Sequence, residues 1–236
     1  MRRLLPAPAV DLGVASEELF AFPALTDGQA WVRGSFVSSF DGATIGPDGR
    51  SGSISSPADR EVFPLLRRTS DVILVGAGTV RTESYHPSRL PMAIVSANLS
   101  LTPDLPLFAE RTEASAPLVV ITTGVSARSA PALGPTVDIL AFGDDVIDLN
   151  AAVRDLSERG WNRIHCEGGA RLLSSLLSAG LLDEILLTLS PTLIGGTAAA
   201  HLVDGVGPVP LRFTQVLEQD GTVFLRATTQ RPTSAR

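Results

Sequence analysis

A glycine turn suited to binding a phosphate occupies the segment Glu167-Gly168-Gly169-Ala170-Arg171. It follows an apolar run and precedes a stretch with apolar residues at helical spacing, so it is predicted to connect a buried strand to a helix. The free amides and the dipole at the start of a helix favour an anion, and glycine lets the backbone approach it. The turn therefore favours a nucleotide cofactor. The alternative is a plain tight turn whose glycines serve only its dihedral angles.

A second glycine turn, Gly76-Ala77-Gly78, follows another apolar run. It matches only the first half of the dinucleotide-binding fingerprint, because Arg81 stands where the third glycine would fall. Two such turns after two parallel strands are expected to lie at the same edge of the sheet, where open α/β folds bind ligands.

Polar residues that could bind a substrate phosphate lie in Ser39-Phe40-Asp41-Gly42 and at Ser51, Ser53 and Arg67. Arginine binds a phosphate through two parallel hydrogen bonds, which makes it a good ligand for such a group. The alternative is that Arg67 and Arg68 form a solvated helix end.

Several other chemistries are excluded by what the sequence lacks. A zinc deaminase needs a pair of cysteines, but Cys166 is the only cysteine and is predicted to be an inert core thiol. The metalloprotease, P-loop and hydrolase-elbow motifs are absent, and His86, His165 and His201 are scattered, so neither a metal site nor a histidine base is predicted. The net charge of −6 argues against nucleic-acid binding.

These candidate residues are positioned by alternating strands and helices. Strands are predicted over 31–40, 71–76, 92–96, 118–122, 137–142, 163–166, 184–189, 211–218 and 222–229, and helices from 57, over 149–159 and over 169–179. Pro64 is expected to kink the first helix or to give it local 3₁₀ geometry. Asp220-Gly221 predicts an antiparallel hairpin between the last two strands. The order predicts an α/β fold with a mostly parallel central sheet, flanked by helices and closed by that C-terminal hairpin.

The length of 236 residues, 44% of them hydrophobic, suits one large domain. Residues 1–29 are interpreted as an N-terminal extension on the domain surface, and residues 30–236 as a single domain. No apolar run reaches the roughly 18 residues of a membrane helix. Pro6 and Pro8 interrupt a start that faintly resembles a signal peptide. We therefore expect a soluble cytoplasmic protein without a membrane partner.

Four segments, taken in order, resemble one family. The matches are Ser39-Phe40-Asp41-Gly42 to S-L-D-G, residues 75–81 to V-G-x-G-T-V, Glu167-Gly168-Gly169 with Leu172-Leu173 to E-G-G-x-x-L, and Leu182-Asp183-Glu184, Ser190-Pro191 and Gly195-Gly196 to its ending. The family is the C-terminal reductase domain of bacterial riboflavin biosynthesis, and the likeness extends over roughly residues 30–230.

This resemblance implies a dihydrofolate-reductase-like fold, NADPH as cofactor, a homodimer, and reduction of 5-amino-6-(5-phosphoribosylamino)uracil at the ribose C1. By matching position it places these residues near the cofactor: Ser38, Asp41, Gly76, Gly78, Thr79, Glu83, Gly168, Gly169, Ala170, Arg171, Leu172 and Leu173. It places Ser51, Arg67, Arg89 and Glu167 near the substrate. Glu167 is then the catalytic anion that stabilises an iminium.

The chain also departs from the family pattern. Glu83-Ser84-Tyr85 stands where the family often has Asp-Asp-Pro, and Ser53 stands where a bulky residue is expected. The deaminase half is absent, which implies a stand-alone reductase or a paralogue with an altered substrate. Two other hypotheses therefore stay open, namely a reductase of a pterin such as dihydrofolate and a catalytically idle dimer that binds a nucleotide.

Overall fold

Strands and helices alternate along most of the chain. A computed structural model describes residues 1–6, 10–13, 15–134, 136–195 and 202–230. In this part of the chain the strands are β1 Arg2–Leu5, β2 Val10–Asp11, β3 Trp31–Ser39, β4 Val72–Gly76, β5 Met92–Val95, β6 Leu118–Thr122, β7 Val137–Ala141, β8 Arg163–Cys166, β9 Glu184–Ser190, β10 Leu211–Gln219 and β11 Thr222–Thr229. The helices are α1 Pro57–Arg68, α2 Ala77–Thr82, α3 Pro106–Ala109, α4 Gly124–Ala127, α5 Leu149–Glu158 and α6 Ala170–Ser178.

All of these strands belong to one sheet, in the order β2-β1-β10-β11-β9-β3-β8-β4-β5-β6-β7. The seven strands from β9 to β7 are parallel, and the pairs from β9 to β2 are antiparallel. The apolar residues of β4 and β6 are buried along the whole strand, as is typical of parallel strands covered on both faces. The predicted α/β architecture with a mostly parallel sheet is confirmed.

The C-terminal hairpin is also confirmed, since β10 pairs with β11 along nearly its whole length. Asp220 and Gly221 at its turn both have positive φ, 52° and 79°. That geometry suits a two-residue hairpin turn and explains the choice of an Asp-Gly pair.

Helix α1 begins where the sequence indicates but is not interrupted at Pro64. The Ser56 hydroxyl accepts a hydrogen bond from the Asp59 amide, and Pro57 occupies the first turn. The prediction of 3₁₀ geometry at Pro64 is wrong, because the helix is α-helical from Pro57 to Arg68. One lost backbone hydrogen bond is offset by the packing of the buried stripe, which includes Val62, Leu65 and Leu66.

Two parts of the segment 1–29, which is predicted to lie on the domain surface as an extension, contact the sheet and the core. Strand β1 pairs with β10, and Phe20, in a 3₁₀ turn over Glu17–Phe20, is fully buried against Leu66 and Phe224. Each of these elements has only four residues, which is too short to show a periodic pattern. Gly196 and His201 lie outside the described residues. No helix in the described part of the chain is long and apolar enough to span a membrane.

Candidate active site

The two glycine turns meet at one edge of the sheet, as expected for the ends of neighbouring parallel strands. Strands β4 and β8 pair in parallel, and the Gly76 amide donates to the Gly168 carbonyl at 2.7 Å. Gly168 has a φ of 102°, which favours glycine, and it forms a cis peptide bond with Gly169. A Cβ atom on Gly169 would lie only 3.0 Å from the Thr79 hydroxyl oxygen. The predicted juxtaposition of the two turns is therefore confirmed.

Helix α6 starts directly at this junction, at two half-buried residues, Gly169 and Ala170. Gly169 is its N-cap, no side chain caps the helix, and no acidic residue lies in its first turn. Arg171 is exposed there, whereas the Leu172 and Leu173 side chains are packed in the core. Any contact between a ligand and those two leucines must therefore involve their backbone. The arrangement suits an anion at the start of the helix.

Glu167 follows strand β8 and is the centre of a hydrogen-bonded cluster. Its carboxylate accepts from Arg67 twice, from Nε at 2.6 Å and from Nη2 at 2.8 Å. The Tyr85 hydroxyl donates to the same carboxylate at 2.6 Å. The Glu167 side chain is 1% exposed, but that of Arg67 is 34% exposed. We call Glu167, Arg67 and Tyr85 the Glu167 cluster.

Burial and pairing act in opposite directions on the groups of this cluster. Burial raises the pKa of the Glu167 carboxyl, but the hydrogen bonds and the charge of Arg67 outweigh it, so that this pKa is lowered. Burial, followed by the negative charge of Glu167, raises the pKa of the Tyr85 hydroxyl well above its ordinary value. Glu167 is therefore an anion at neutral pH and Tyr85 is a neutral donor.

A cavity of about 560 Å³ opens beside this cluster. Aromatic and polar side chains line it, among them Phe36, Ser51, Phe63, Arg67, Tyr85 and Glu167. The Arg67 guanidinium lies 4.8 Å from the centre of the Phe63 ring and 5.8 Å from that of the Tyr85 ring. Arg67 thus forms part of the wall between two aromatic rings, with its outer edge toward the cavity.

Thr79 and Glu83, predicted near the cofactor, lie on the same cavity as the predicted substrate residue Ser51. The Glu83 carboxylate accepts from both the amide and the hydroxyl of Ser51, each at 2.9 Å. The two groups of predicted residues therefore share a wall.

Asp41 lies in the turn after β3, where its carboxylate links that turn to the segment after β9. It accepts from the Ser39 hydroxyl at 2.6 Å and from the Ile194 and Gly195 amides at 3.1 and 2.7 Å. The Ser39 and Gly195 hydrogen bonds lower the pKa of Asp41 to about 2. The side chain of Ser38 is buried and donates to the Ser39 carbonyl. Asp41 therefore connects the turn after β3 to the segment after β9 through hydrogen bonds within the protein.

The two arginines at the end of α1 have different surroundings. Arg67 binds Glu167, while Arg68 pairs with the exposed Glu17. The alternative of a solvated helix end therefore describes Arg68 but not Arg67. Arg89 is exposed and is not among the residues that line the cavity, so the structure does not bring it to the other predicted substrate residues.

Sequence reasoning missed two aromatic residues of the site, Phe63 and Tyr85. Phe63 is half-buried beside the buried stripe of α1, and no role is predicted for it from the sequence. Tyr85 enters only as a departure from the family pattern, and its place in a loop between two exposed residues, Ser84 and His86, gives no signal of a buried hydroxyl.

Strand β8 carries two buried titratable groups immediately before Glu167. Burial raises the pKa of the Cys166 thiol to about 12, in keeping with an inert core thiol. Burial lowers the pKa of His165 to about 4, with Glu167 opposing this shift. Among the described residues, no group of three His, Cys, Asp or Glu side chains is arranged to hold a metal ion.

Comparison with known proteins gives consistent matches. Residues 30–225 match the family described as the RibD C-terminal domain. A riboflavin biosynthesis protein RibD from Bacillus amyloliquefaciens is 34% identical over 208 residues, which cover 81% of this chain but 55% of that protein. A 2,5-diamino-6-ribosylamino-4(3H)-pyrimidinone 5′-phosphate reductase from Methanothermobacter thermautotrophicus is 28% identical over 166 residues, covering 66% of this chain and 76% of that protein.

Solved structures share the fold at lower identity. A pyrimidine reductase-like protein from Corynebacterium diphtheriae superposes with a TM-score of 0.72 at 22% identity, covering 92% of this chain and 99% of the other. The riboflavin biosynthesis reductase Rib7 of Saccharomyces cerevisiae gives a TM-score of 0.69 at 20% identity, covering 88% and 93%.

Proposed function

Because the chain belongs to the RibD C-terminal domain family, we propose that it is an NADPH-dependent reductase of a ribosylaminopyrimidine 5′-phosphate in riboflavin biosynthesis. The observation that carries this proposal is the position of the Glu167 cluster. A buried carboxylate, held by Arg67 and Tyr85, immediately precedes the glycine turn that opens α6. A site for a cationic reacting group and a site for a phosphate are therefore adjacent in the chain.

The residues at the sheet edge fit a nicotinamide dinucleotide. Helix α6 begins without a capping side chain, and the space beside Gly169 would be filled by a Cβ atom facing Thr79. We assign the pyrophosphate to the backbone of residues 168–173 and the second turn, Gly76 to Gly78. Ser38, Asp41, Thr79 and Glu83 would flank the rest of the cofactor. NADPH is proposed over NADH from the family resemblance.

The proposed reaction adds a hydride to the ribose C1 of the ring-opened imine and a proton to the adjoining nitrogen. NADPH supplies the hydride when bound. The Glu167 anion stabilises the positive charge that the protonated imine carries. Glu167 is not the proton donor, because its pKa is lowered, and the Tyr85 proton is directed at Glu167. Water at the open cavity provides that proton.

Binding of the substrate is proposed to involve Arg67 and Ser51, both on the cavity wall. Phe36 and Phe63 provide apolar surface for a flat heterocycle. Arg89 was expected to contribute, but its exposed position leaves Arg67 as the stronger candidate for an anionic or carbonyl group.

We keep the homodimer and the cytoplasmic location as proposals. Leu211 and Phe213 on β10 are 45% and 52% exposed, as for residues that await an apolar partner. Light scattering after size exclusion tests the dimer, and cell fractionation tests the location. Residues 30–236 are proposed as the reductase domain, with residues 1–29 as a segment that stabilises it.

The proposal is tested by following NADPH oxidation with three substrates in parallel. Two are 5-amino-6-(5-phosphoribosylamino)uracil and its 2,5-diaminopyrimidinone counterpart, and the third is dihydrofolate. Turnover with either pyrimidine and none with dihydrofolate is expected. Oxidation with dihydrofolate alone would replace the proposal with the pterin hypothesis. Tight NADPH binding without turnover of any substrate would favour the idle dimer.

A further inference from the structure

Tyr85 occupies a place where the family resemblance assigns no function. It is the only tyrosine in the chain, and it stands in the segment that departs from the family pattern. The residue lies in the connection between α2 and β5, lines the cavity, and packs at the edge of the core beneath β4 and β5. Its ring and its hydroxyl therefore have separate surroundings.

The hydroxyl adds a third hydrogen bond to the Glu167 carboxylate. A carboxylate has about four acceptor positions, and three are taken by Arg67 Nε, Arg67 Nη2 and the Tyr85 hydroxyl. Arg67 donates from helix α1, whereas the Tyr85 hydroxyl donates from the connection between α2 and β5. The carboxylate is therefore held from two separate elements.

We propose that Tyr85 is a positioning residue whose hydroxyl holds the Glu167 carboxylate, paired with Arg67, in the orientation that faces the substrate. The ring of Tyr85 contributes packing, and its hydroxyl contributes this orientation. The kinetic consequences rest on the proposed function, whereas the coupling between Tyr85 and Glu167 does not depend on it.

The groups that act on this contact are known from the structure. Glu167, Arg67 and Glu83 surround the Tyr85 hydroxyl, and Arg67, His165 and Tyr85 surround the Glu167 carboxylate. Replacement of Glu167 by glutamine removes the negative charge next to Tyr85 and leaves Arg67 beside it. The loss of the negative charge and the remaining positive charge of Arg67 both favour ionisation of the Tyr85 hydroxyl.

The single tyrosine permits a direct test by alkaline titration, because tyrosinate absorbance then reports on Tyr85 alone. We expect Tyr85 to ionise at a lower pH in Glu167→Gln than in the wild type. A complementary measurement follows the ¹³C signal of the Glu167 carboxyl, whose titration midpoint should rise in Tyr85→Phe. Unchanged midpoints in both experiments would overturn the proposal.

Kinetics test whether the contact orients the site. Tyr85→Phe retains the ring, so we expect kcat to fall about tenfold, the usual effect of losing a hydrogen bond to a charged group. The KM for NADPH should not change, and the acidic limb of the pH profile should move to higher pH. Unchanged kcat and pH profile would overturn the positioning role.

A control variant separates orientation from stability. Thr229→Val removes a hydroxyl hydrogen bond of 2.6 Å to the Leu182 carbonyl. This contact lies near the amino ends of the parallel strands, away from Glu167 at their carboxyl ends. It should leave kcat and the pH profile unchanged, and a fall equal to that of Tyr85→Phe would count against the proposal. If the wild type shows no turnover, the proposed function is wrong. The two titrations would still test the hydrogen bond between Tyr85 and Glu167.

Discussion

Two buried arginine–glutamate networks lie at opposite ends of the parallel strands and differ in what their donors contact. At the amino ends, Glu184 accepts from Arg33 at 2.7 Å and from Arg226. The terminal nitrogens of both arginines donate to carbonyls of the N-terminal segment, those of Phe20 and Ala21 among them. The side chains of Arg33 and Glu184 are 0% and 2% exposed. This network is closed by the protein itself.

The Glu167 cluster at the carboxyl ends is built from the same residue types but opens on a cavity. Its arginine, Arg67, is 34% exposed, and its third member is a side chain from a loop. Ligands of open α/β sheets bind at the carboxyl ends of the strands. Burial of the carboxylate in an ion pair therefore does not indicate the role of that pair. The exposure of the arginine separates the two networks, since Arg33 is enclosed by protein whereas Arg67 borders a cavity.

The largest expected effect concerns the closed network. Glu184→Gln leaves two arginines without their buried counter-ion, so we expect the free energy of unfolding to fall by about 3–5 kcal/mol. Urea unfolding measures this. Glu17→Gln is the control, because it breaks an exposed pair with Arg68 and should cost at most about 1 kcal/mol. Equal losses in the two variants would contradict the closed-network interpretation.

His165 lies between the two networks, and its pKa is lowered first by burial and then by the charges of Arg33 and Arg67. Within the described chain, neither ring nitrogen has a partner in hydrogen-bond geometry, although the Leu66 backbone weakly opposes the shift. The unfolded chain takes up this proton near pH 6.5 and the folded one only near pH 4. Stability should therefore fall as the pH drops between these values, by up to about 3 kcal/mol.

His165→Leu removes this titration and places an apolar side chain at the same buried position. Urea unfolding at several pH values should show a shallower loss in the variant than in the wild type. If the free energy of unfolding falls equally with pH in both proteins, the burial of His165 between the two networks does not cause this pH dependence.

Glu167→Gln should damage activity more than stability, the reverse of Glu184→Gln. Because the anion near the reacting carbon is lost, we expect kcat/KM to fall on the order of 10²-fold. Steady-state NADPH oxidation measures the loss, and NADPH titration should give an unchanged Kd. The contrast between the two networks is wrong if Glu184→Gln lowers the kcat of the folded enzyme as much as Glu167→Gln does.

The smallest effect concerns the glycine turn beside the open cluster. Gly169→Val should raise the Kd of NADPH by about tenfold, equivalent to about 1.4 kcal/mol, because a branched side chain fills the space facing Thr79. Fluorescence titration measures this binding. Gly207→Val is the control, because nothing lies within 4 Å of a Cβ atom there. Equal affinities of the two variants for NADPH would contradict the placement of the cofactor phosphates at this turn.

Much of the fold and part of the site could be predicted from local signals. The apolar run of β4, the capping serine of α1 and the Asp-Gly turn each act within a few residues. Their position after parallel strands placed the two glycine turns at one edge of the sheet, but the pairing of β4 with β8 that brings them into contact was not predicted. The position of Arg89 away from the cavity could not be predicted, because an irregular loop carries no period that fixes the direction of a side chain.

The sequence by itself determined the longer strands and helices, because burial gives each of them a periodic or continuous apolar pattern. The short elements β1, β2, α2, α3 and α4 carry no such pattern. Only the tertiary structure decided which segments become neighbours. Arg67 and Tyr85 reach Glu167 across 100 and 82 residues of chain, and Arg33 reaches Glu184 across 151. A periodic pattern records that a face is buried but not what covers it. The difference between the closed network and the open cluster therefore arises only when the sheet is assembled.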